Sequence, residues 1–145
     1  MKLFFCRLKI YSKEELENNN IDYSFSKFEQ IDVNILFPIQ EKIKQIVELS
    51  FDAQTFLNGL IRKYKPKKIL ELGVSAGGSS SLILNAIKDI PNSKLYSIDR
   101  YNEWYKNKSK KVGWLVKERF PELMNKWILY TGRNPSEYIE KIGYN

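Results

Sequence analysis

The sequence predicts an α/β fold in which a parallel sheet carries helices on both faces. Short apolar segments at 67–73, 94–99 and 127–131 have the length and composition of buried strands. Each of them is followed by a segment that we interpret as a helix. Strands that alternate with helices in this way pair in parallel through right-handed crossovers. The expected architecture is therefore a layered sheet of about three strands.

The segment before the first strand is predicted to be a helical N-terminal extension. Apolar residues recur at helical spacing between 34 and 64, with a break near Ser50 that separates two helices. Ser50 or Asp52 is the expected N-cap of the second helix. Pro66 ends that helix, because the residue before a proline avoids helical geometry. We divide the chain into an extension over 1–51 and an α/β unit over 52–145.

Turn residues between the apolar segments place the other elements. The glycines at 77–78 predict a tight turn and a helix start, and Pro91 ends that helix. A lysine-rich segment at 105–119 is interpreted as a helix with a solvated face, closed before Pro121. A last helix is expected over 135–142.

Composition excludes several classes of function. The chain contains no histidine, which rules out Ser-His-Asp and Cys-His hydrolases and removes the commonest metal ligand, so we expect no metal site. Its single cysteine, Cys6, cannot form an intramolecular disulfide, and a reducing, cytoplasmic setting is expected. No segment approaches the roughly 20 apolar residues of a membrane span, so no membrane association is predicted.

The net charge of +7 favours weak attraction to polyanions without identifying a partner. Nucleic acid is disfavoured as a partner, and a small-molecule substrate is expected instead. A nucleic-acid module would need its basic residues to share one face with exposed aromatic side chains. The residues that such a module would use are Lys106, Lys108, Lys110, Lys111 and Lys117.

The loop after the first strand has the features of a nucleotide-cofactor site. Ligands of parallel sheets bind beyond the carboxyl ends of the strands. Gly73 lets the backbone approach a ligand, and the glycines at 77–78 permit positive φ angles and close helix packing. Asp99 follows Gly73 by 26 residues and ends the second strand, where a carboxylate can accept two ribose hydroxyls. A Rossmann-like fold with an adenosine-type cofactor is therefore predicted.

Glu71 favours S-adenosylmethionine over a dinucleotide. The pattern of Gly73, Ser75 and Gly78 is only a degenerate match to the Gly-x-Gly-x-x-Gly fingerprint. A carboxylate two residues before the first glycine would repel a pyrophosphate, by about 4 kcal/mol at ~4 Å and an effective dielectric near 20. S-adenosylmethionine brings an ammonium and a sulfonium and no phosphate. An NAD-binding domain remains the second enzyme interpretation.

The segment Glu71-Leu-Gly-Val-Ser-Ala-Gly-Gly-Ser79 resembles the first motif of the class I S-adenosylmethionine-dependent methyltransferases. The form Glu-x-Gly-x-x-x-Gly-x-Ser is that of the catechol- and caffeoyl-CoA-type O-methyltransferases, and the position of Asp99 is similar to their second motif. The resemblance covers the chain from about residue 52 to its end. It implies transfer of a methyl group to an unidentified small-molecule oxygen or nitrogen acceptor.

The same resemblance implies a set of cofactor contacts. Glu71 would hold the amino group, often through water, and Asp99 the ribose. The loop residues would line the methionine and ribose portion, and Arg100 with Tyr101 would border the adenine. The residues assigned in this way are Glu71, Gly73, Ser75, Gly77, Ser79, Asp99 and Arg100.

Several of these residues also have purely structural interpretations. Glu71 could pair with a lysine, Asp99 could cap a helix or a turn, and Ser79 could be a helix N-cap. The three tryptophans are interpreted as core or rim residues rather than as adenine platforms.

The resembled family has seven strands, whereas the expected sheet ends after about three. We therefore expect a truncated domain, the cofactor-binding half, and the resemblance carries no catalytic residue onto this chain. An unpaired sheet edge invites strand addition, and we hypothesise that it pairs with a second copy. The alternative from another class is a non-catalytic module that binds an adenosine-type ligand or nucleic acid.

Overall fold

The computed structural model describes residues 36, 38–43, 45–139 and 141–142, so residues 1–35 of the predicted extension over 1–51 lie outside the described part. Helix α1 spans Phe51–Tyr64. It begins at Ser50, whose Oγ accepts a hydrogen bond from the Ala53 amide at 3.2 Å, so Ser50 is the N-cap. Lys65, with a φ of 45°, ends the helix directly before Pro66, as the sequence predicts.

A three-stranded parallel sheet forms the centre of the molecule. Its strands are β1 (Lys68–Leu72), β2 (Lys94–Asp99) and β5 (Trp127–Thr131), in the order β1-β2-β5. Both neighbouring pairs are parallel, with Leu70 opposite Tyr96 in the first pair. Helix α2 (Gly78–Ile87) connects β1 to β2. The predicted parallel α/β sheet is confirmed.

Apolar side chains cover both faces of this sheet. On one face Ile69 and Leu95 join the main core with Ile61 of α1 and Leu82 of α2. On the other face lies a smaller cluster around Ile98. Alternation of side chains along each strand produces the two layers. The sheet is therefore flanked by packed segments on both sides, compatible with part of a Rossmann-like fold.

The elements after β2 correct one prediction. In place of a helix over 105–119 the chain forms an antiparallel hairpin, β3 (Glu103–Trp104) with β4 (Asn107–Lys111), and only a short helix α3, Trp114–Arg119. Asn107 Oδ1, at the start of β4, accepts hydrogen bonds from the Ser109 amide at 3.0 Å and its hydroxyl at 2.7 Å, local contacts that compete with helix formation.

A 3-10 helix, Pro121–Lys126, leads from α3 into β5. Helix α4 spans Ser136–Ile139, shorter than the predicted 135–142. It covers the second face of the sheet, where Tyr138 stacks on Tyr130 of β5 with ring centroids 4.8 Å apart. In the described part of the chain, no helix has the length and apolar character needed to cross a membrane.

Candidate functional site

A cavity of about 130 Å³ opens at the carboxyl end of β1, where the chain turns into α2. Two parts of the chain line it: the loop after β1 with the start of α2, and the segment before α1. The lining residues are Ile46, Glu48, Leu49, Gly73, Val74, Ser75, Ala76, Gly78 and Ser79. The predicted loop thus borders a cavity at the edge where parallel sheets bind ligands.

Two residues of the loop have left-handed backbone conformations. Gly73 is exposed with a φ of 84°, and a Cβ placed there would meet no atom within 4 Å. Ser75 has a φ of 54°, uncommon for a residue with a side chain. Its carbonyl accepts from the Gly113 amide at 2.9 Å, and its Oγ from Trp104 Nε1 at 3.2 Å. Contacts with two distant segments therefore hold this loop, and the space beside Gly73 is open.

Asp99 anchors the loop from the neighbouring strand. Its Oδ2 accepts from the amides of Val74 at 2.8 Å and Ser75 at 3.0 Å, and its Oδ1 from the Tyr101 amide at 2.9 Å. A carboxylate offers about four acceptor positions, so one remains on Oδ1. The sequence predicts that Asp99 contacts two ribose hydroxyls, whereas the three amides leave only one acceptor position on its carboxylate for a further donor. Substitution of Asp99 would also release the loop.

Glu71 is completely buried, with 0% of its surface exposed. Its Oε1 accepts from Ser79 Oγ at 2.5 Å, and its Oε2 from Ser80 and Ser97 Oγ at 2.6 Å each. Burial raises the pKa of Glu71, the three hydroxyls oppose that rise, and the charge of Asp99 adds to it. The partners are serines, so the alternative of a lysine pair is wrong. Ser79, which lines the cavity, connects Glu71 to it.

The glycines at the start of α2 are required by packing within the chain. A Cβ at Gly77 would lie 3.0 Å from Cγ2 of Val116, and a Cβ at Gly78 would lie 2.9 Å from Cα of Val47. Gly77 is the N-cap of α2, which places Ser79 inside the first turn. The N-cap alternative for Ser79 is therefore wrong. Val116 fills the space beside Gly77. The predicted contact of Gly77 with the cofactor stays a prediction.

Glu48 borders the cavity although no motif marks it in the sequence. Its Oε1 accepts a hydrogen bond from Tyr105 Oη at 2.7 Å and lies 3.5 Å from Nζ of Lys106. These contacts connect the segment before α1 to the hairpin, across 57 residues of chain. Only the tertiary structure brings the carboxylate to the site, so no local signal could have found it. As far as the structure describes the chain, the cavity lining contains this carboxylate and no lysine or arginine.

The remaining predicted residues lie away from the cavity lining. Arg100 is exposed directly after β2. Trp127 is buried and donates from Nε1 to Ser97 Oγ at 2.7 Å, whereas Trp104 and Trp114 are partly buried against the core. The prediction that the tryptophans are core or rim residues is confirmed.

Comparison of the chain with protein-family models, curated proteins and solved structures found no match. Within the described residues, no group of three or more His, Cys, Asp or Glu side chains could hold a metal ion. The function is therefore inferred from the cavity and its surroundings.

Proposed function

We propose that the chain is the cofactor-binding portion of an S-adenosylmethionine-dependent methyltransferase that acts on a small-molecule oxygen or nitrogen acceptor. The charge of the cavity carries this proposal, because among the described residues its lining contains the carboxylate of Glu48 and no cationic side chain. Such a lining favours an ammonium or sulfonium group over a phosphate, and the nearby Lys106, 3.5 Å from the exposed Glu48 carboxylate, reduces the size of this preference. S-adenosylmethionine supplies an activated methyl group together with both cations.

The described residues suit one end of this cofactor best. The cavity of about 130 Å³ is smaller than the roughly 300–1,000 Å³ typical of small-molecule sites, so it would take the amino-acid end. The rest of the molecule would extend over Gly73, where a Cβ position meets no atom within 4 Å. The remaining acceptor position on Asp99 Oδ1 suits one ribose hydroxyl.

A dinucleotide is the second candidate, and the start of α2 disfavours it. In dinucleotide sites the pyrophosphate lies on the helix N-terminus. Here Val47 packs against Gly78 at that end of α2. The carboxylate that would repel a pyrophosphate is that of Glu48. The raised pKa of the buried Glu71 favours its neutral form, which would not repel a pyrophosphate.

The proposal includes a reducing, cytoplasmic setting, which the single Cys6 supports. It assigns no catalytic residue. The chain has no histidine, and the buried Glu71 accepts hydrogen bonds from three serine hydroxyls.

Two neighbouring serines provide a matched test. Ser79 and Ser80 each donate one hydrogen bond to Glu71, but only Ser79 lines the cavity. We expect S-adenosylhomocysteine to bind the wild type in calorimetry. Ser79→Ala should weaken this binding up to about tenfold, as expected for one lost hydrogen bond. Ser80→Ala should lower the free energy of unfolding about as much as Ser79→Ala does, and it should leave the affinity for S-adenosylhomocysteine unchanged.

Two outcomes would contradict the proposal. Binding of NAD without binding of S-adenosylhomocysteine would identify a dinucleotide site. Equal loss of affinity in Ser79→Ala and Ser80→Ala would show that the support of Glu71, and not the hydroxyl in the cavity, determines binding. Denaturant unfolding of both variants serves as the control for folding.

A further inference from the structure

The hairpin forms a groove of about 520 Å³, larger than the cavity beside α2. Its volume lies within the range of small-molecule sites. The lining residues are Tyr101, Asn102, Glu103, Trp104, Tyr105 and Lys108. Of these six residues only Tyr101 belongs to the predicted cofactor contacts, beside the adenine, and the other five have no assigned role.

Aromatic rings dominate the lining of the groove. Tyr101 and Tyr105 are 64% and 63% exposed, more than any other large hydrophobic residue in the described part of the chain. Trp104 is held in place by its hydrogen bond to Ser75 and by the ring of Trp114, 5.5 Å away. Such rings offer faces on which a planar ligand can stack, and stacking would remove their apolar surface from water.

Lys108 gives the groove a single unpaired positive charge. Among the described residues no carboxylate lies within ion-pairing distance of Lys108, although the other lysines of the hairpin all have partners. Those pairs are Lys106–Glu48 at 3.5 Å, Lys110–Glu118 at 2.6 Å and Lys111–Glu103 at 3.3 Å. A polyanion such as nucleic acid would draw on many lysines at once, and here three have carboxylate partners that compete for them. One free ammonium suits a ligand with one anionic group.

We propose that this groove binds a small planar aromatic molecule that carries one anionic group. Its ring contacts Tyr101 and Tyr105, and its anion pairs with Lys108. The hydrogen bonds Trp104–Ser75 and Tyr105–Glu48 connect the groove to the lining of the neighbouring cavity.

Three probes separate the ring from the charge: 4-hydroxybenzoate, the neutral 4-hydroxybenzamide and the non-planar 4-hydroxycyclohexanecarboxylate. Binding is followed by NMR through the indole signal of Trp104. We expect 4-hydroxybenzoate to bind roughly fivefold more tightly than either of the others, as expected for one ionic or one stacking contact.

Substitutions assign the two contacts. Lys108→Gln should weaken 4-hydroxybenzoate up to about fivefold and leave 4-hydroxybenzamide unchanged. Lys88→Gln makes the same change in net charge at an exposed position outside the groove lining and should have no effect. Tyr101→Ala should weaken both aromatic probes, whereas Tyr101→Phe keeps the ring and should retain their binding.

Several results would overturn the inference. These are unchanged affinity in Lys108→Gln, displacement of 4-hydroxybenzoate by adenosine, and tighter, strongly salt-dependent binding of a thymidine oligonucleotide. A parallel titration with S-adenosylhomocysteine separates the two proposals. If S-adenosylhomocysteine binds and 4-hydroxybenzoate does not, only the groove proposal fails. If 4-hydroxybenzoate binds and S-adenosylhomocysteine does not, the methyltransferase proposal fails and the groove proposal stands.

Discussion

Two carboxylates at the same edge of the sheet have different environments. Asp99 accepts hydrogen bonds from three backbone amides, which shape the loop. Glu71 lies deeper and accepts only serine hydroxyls, and its burial raises its pKa. The difference follows from what each side chain meets, since the loop backbone faces Asp99 and the hydroxyls of α2 and β2 face Glu71. One carboxylate organises the loop, and the other is linked to the cavity through Ser79.

The buried Glu71 makes stability depend on pH. Its pKa in the folded state lies above the unfolded value near 4.5, so the folded state retains its proton over a range in which the unfolded state has lost it. The contribution of Glu71 to the free energy of unfolding therefore has its full value below pH 4.5. It falls as pH rises to the raised pKa, by at most about 1.4 kcal/mol per pH unit.

Urea unfolding of the wild type and of Glu71→Gln between pH 4.5 and 8 measures this contribution. Glu71→Gln should not show the fall in the free energy of unfolding with rising pH, because glutamine does not ionise. Glu122→Gln, at an exposed position, is the control and should keep it. Identical pH profiles for the wild type and Glu71→Gln would contradict the prediction.

At the scale of elements, the segment before α1 completes the cavity by packing on α2. Val47 lies against Gly78, and the Val47 amide donates to the carbonyl of Ile43 at 2.9 Å. Glu48 follows directly and borders the cavity. The lack of a side chain at Gly78 therefore lets a carboxylate approach the site from outside the α/β unit.

Gly78→Ala tests this contact. Alanine ordinarily stabilises a helix relative to glycine by about 1 kcal/mol. Here its Cβ would lie 2.9 Å from the Val47 backbone, so we expect a net loss of about 1–3 kcal/mol and faster hydrogen exchange of the Val47 amide. Lys88→Ala, at the exposed end of the same helix, should leave that exchange unchanged. A more stable Gly78→Ala variant would show that the segment does not need this glycine.

The hairpin shows why element type could not be predicted after β2. Lysines at 106–117 are compatible with a solvated helix, since exposed charges carry little information about the period of the backbone. Gly113, which follows the hairpin and is the N-cap of α3, has a φ of 71°, and a Cβ there would overlap the ring of Trp127. That constraint comes from a residue on another strand, so the local sequence does not contain it.

For the whole molecule, the outer edge of β1 bears on oligomeric state. In the described part of the chain β1 pairs with β2 alone. The Lys67 carbonyl and the Gly73 amide both bond toward β2, so by alternation the amides of Leu70 and Leu72 point away from it. A row of unpaired backbone groups is a template for strand addition.

We accordingly predict association of two copies through this edge. Light scattering at rising concentration should show a species of twice the 17.2 kDa chain mass. The amides of Leu70 and Leu72 should become more protected from hydrogen exchange in the same range. A single species of 17.2 kDa at every concentration would exclude the dimer.

The sequence alone determined the parallel sheet, the limits of α1 and the position of the loop. The strands Lys94–Asp99 and Trp127–Thr131 were predictable because their apolar runs end at turn residues within a few positions. The tertiary structure alone decided what borders the cavity and the groove. Glu48, Val47 and the hairpin aromatics reach these surfaces through contacts between distant segments, and such contacts leave no periodic pattern in the chain.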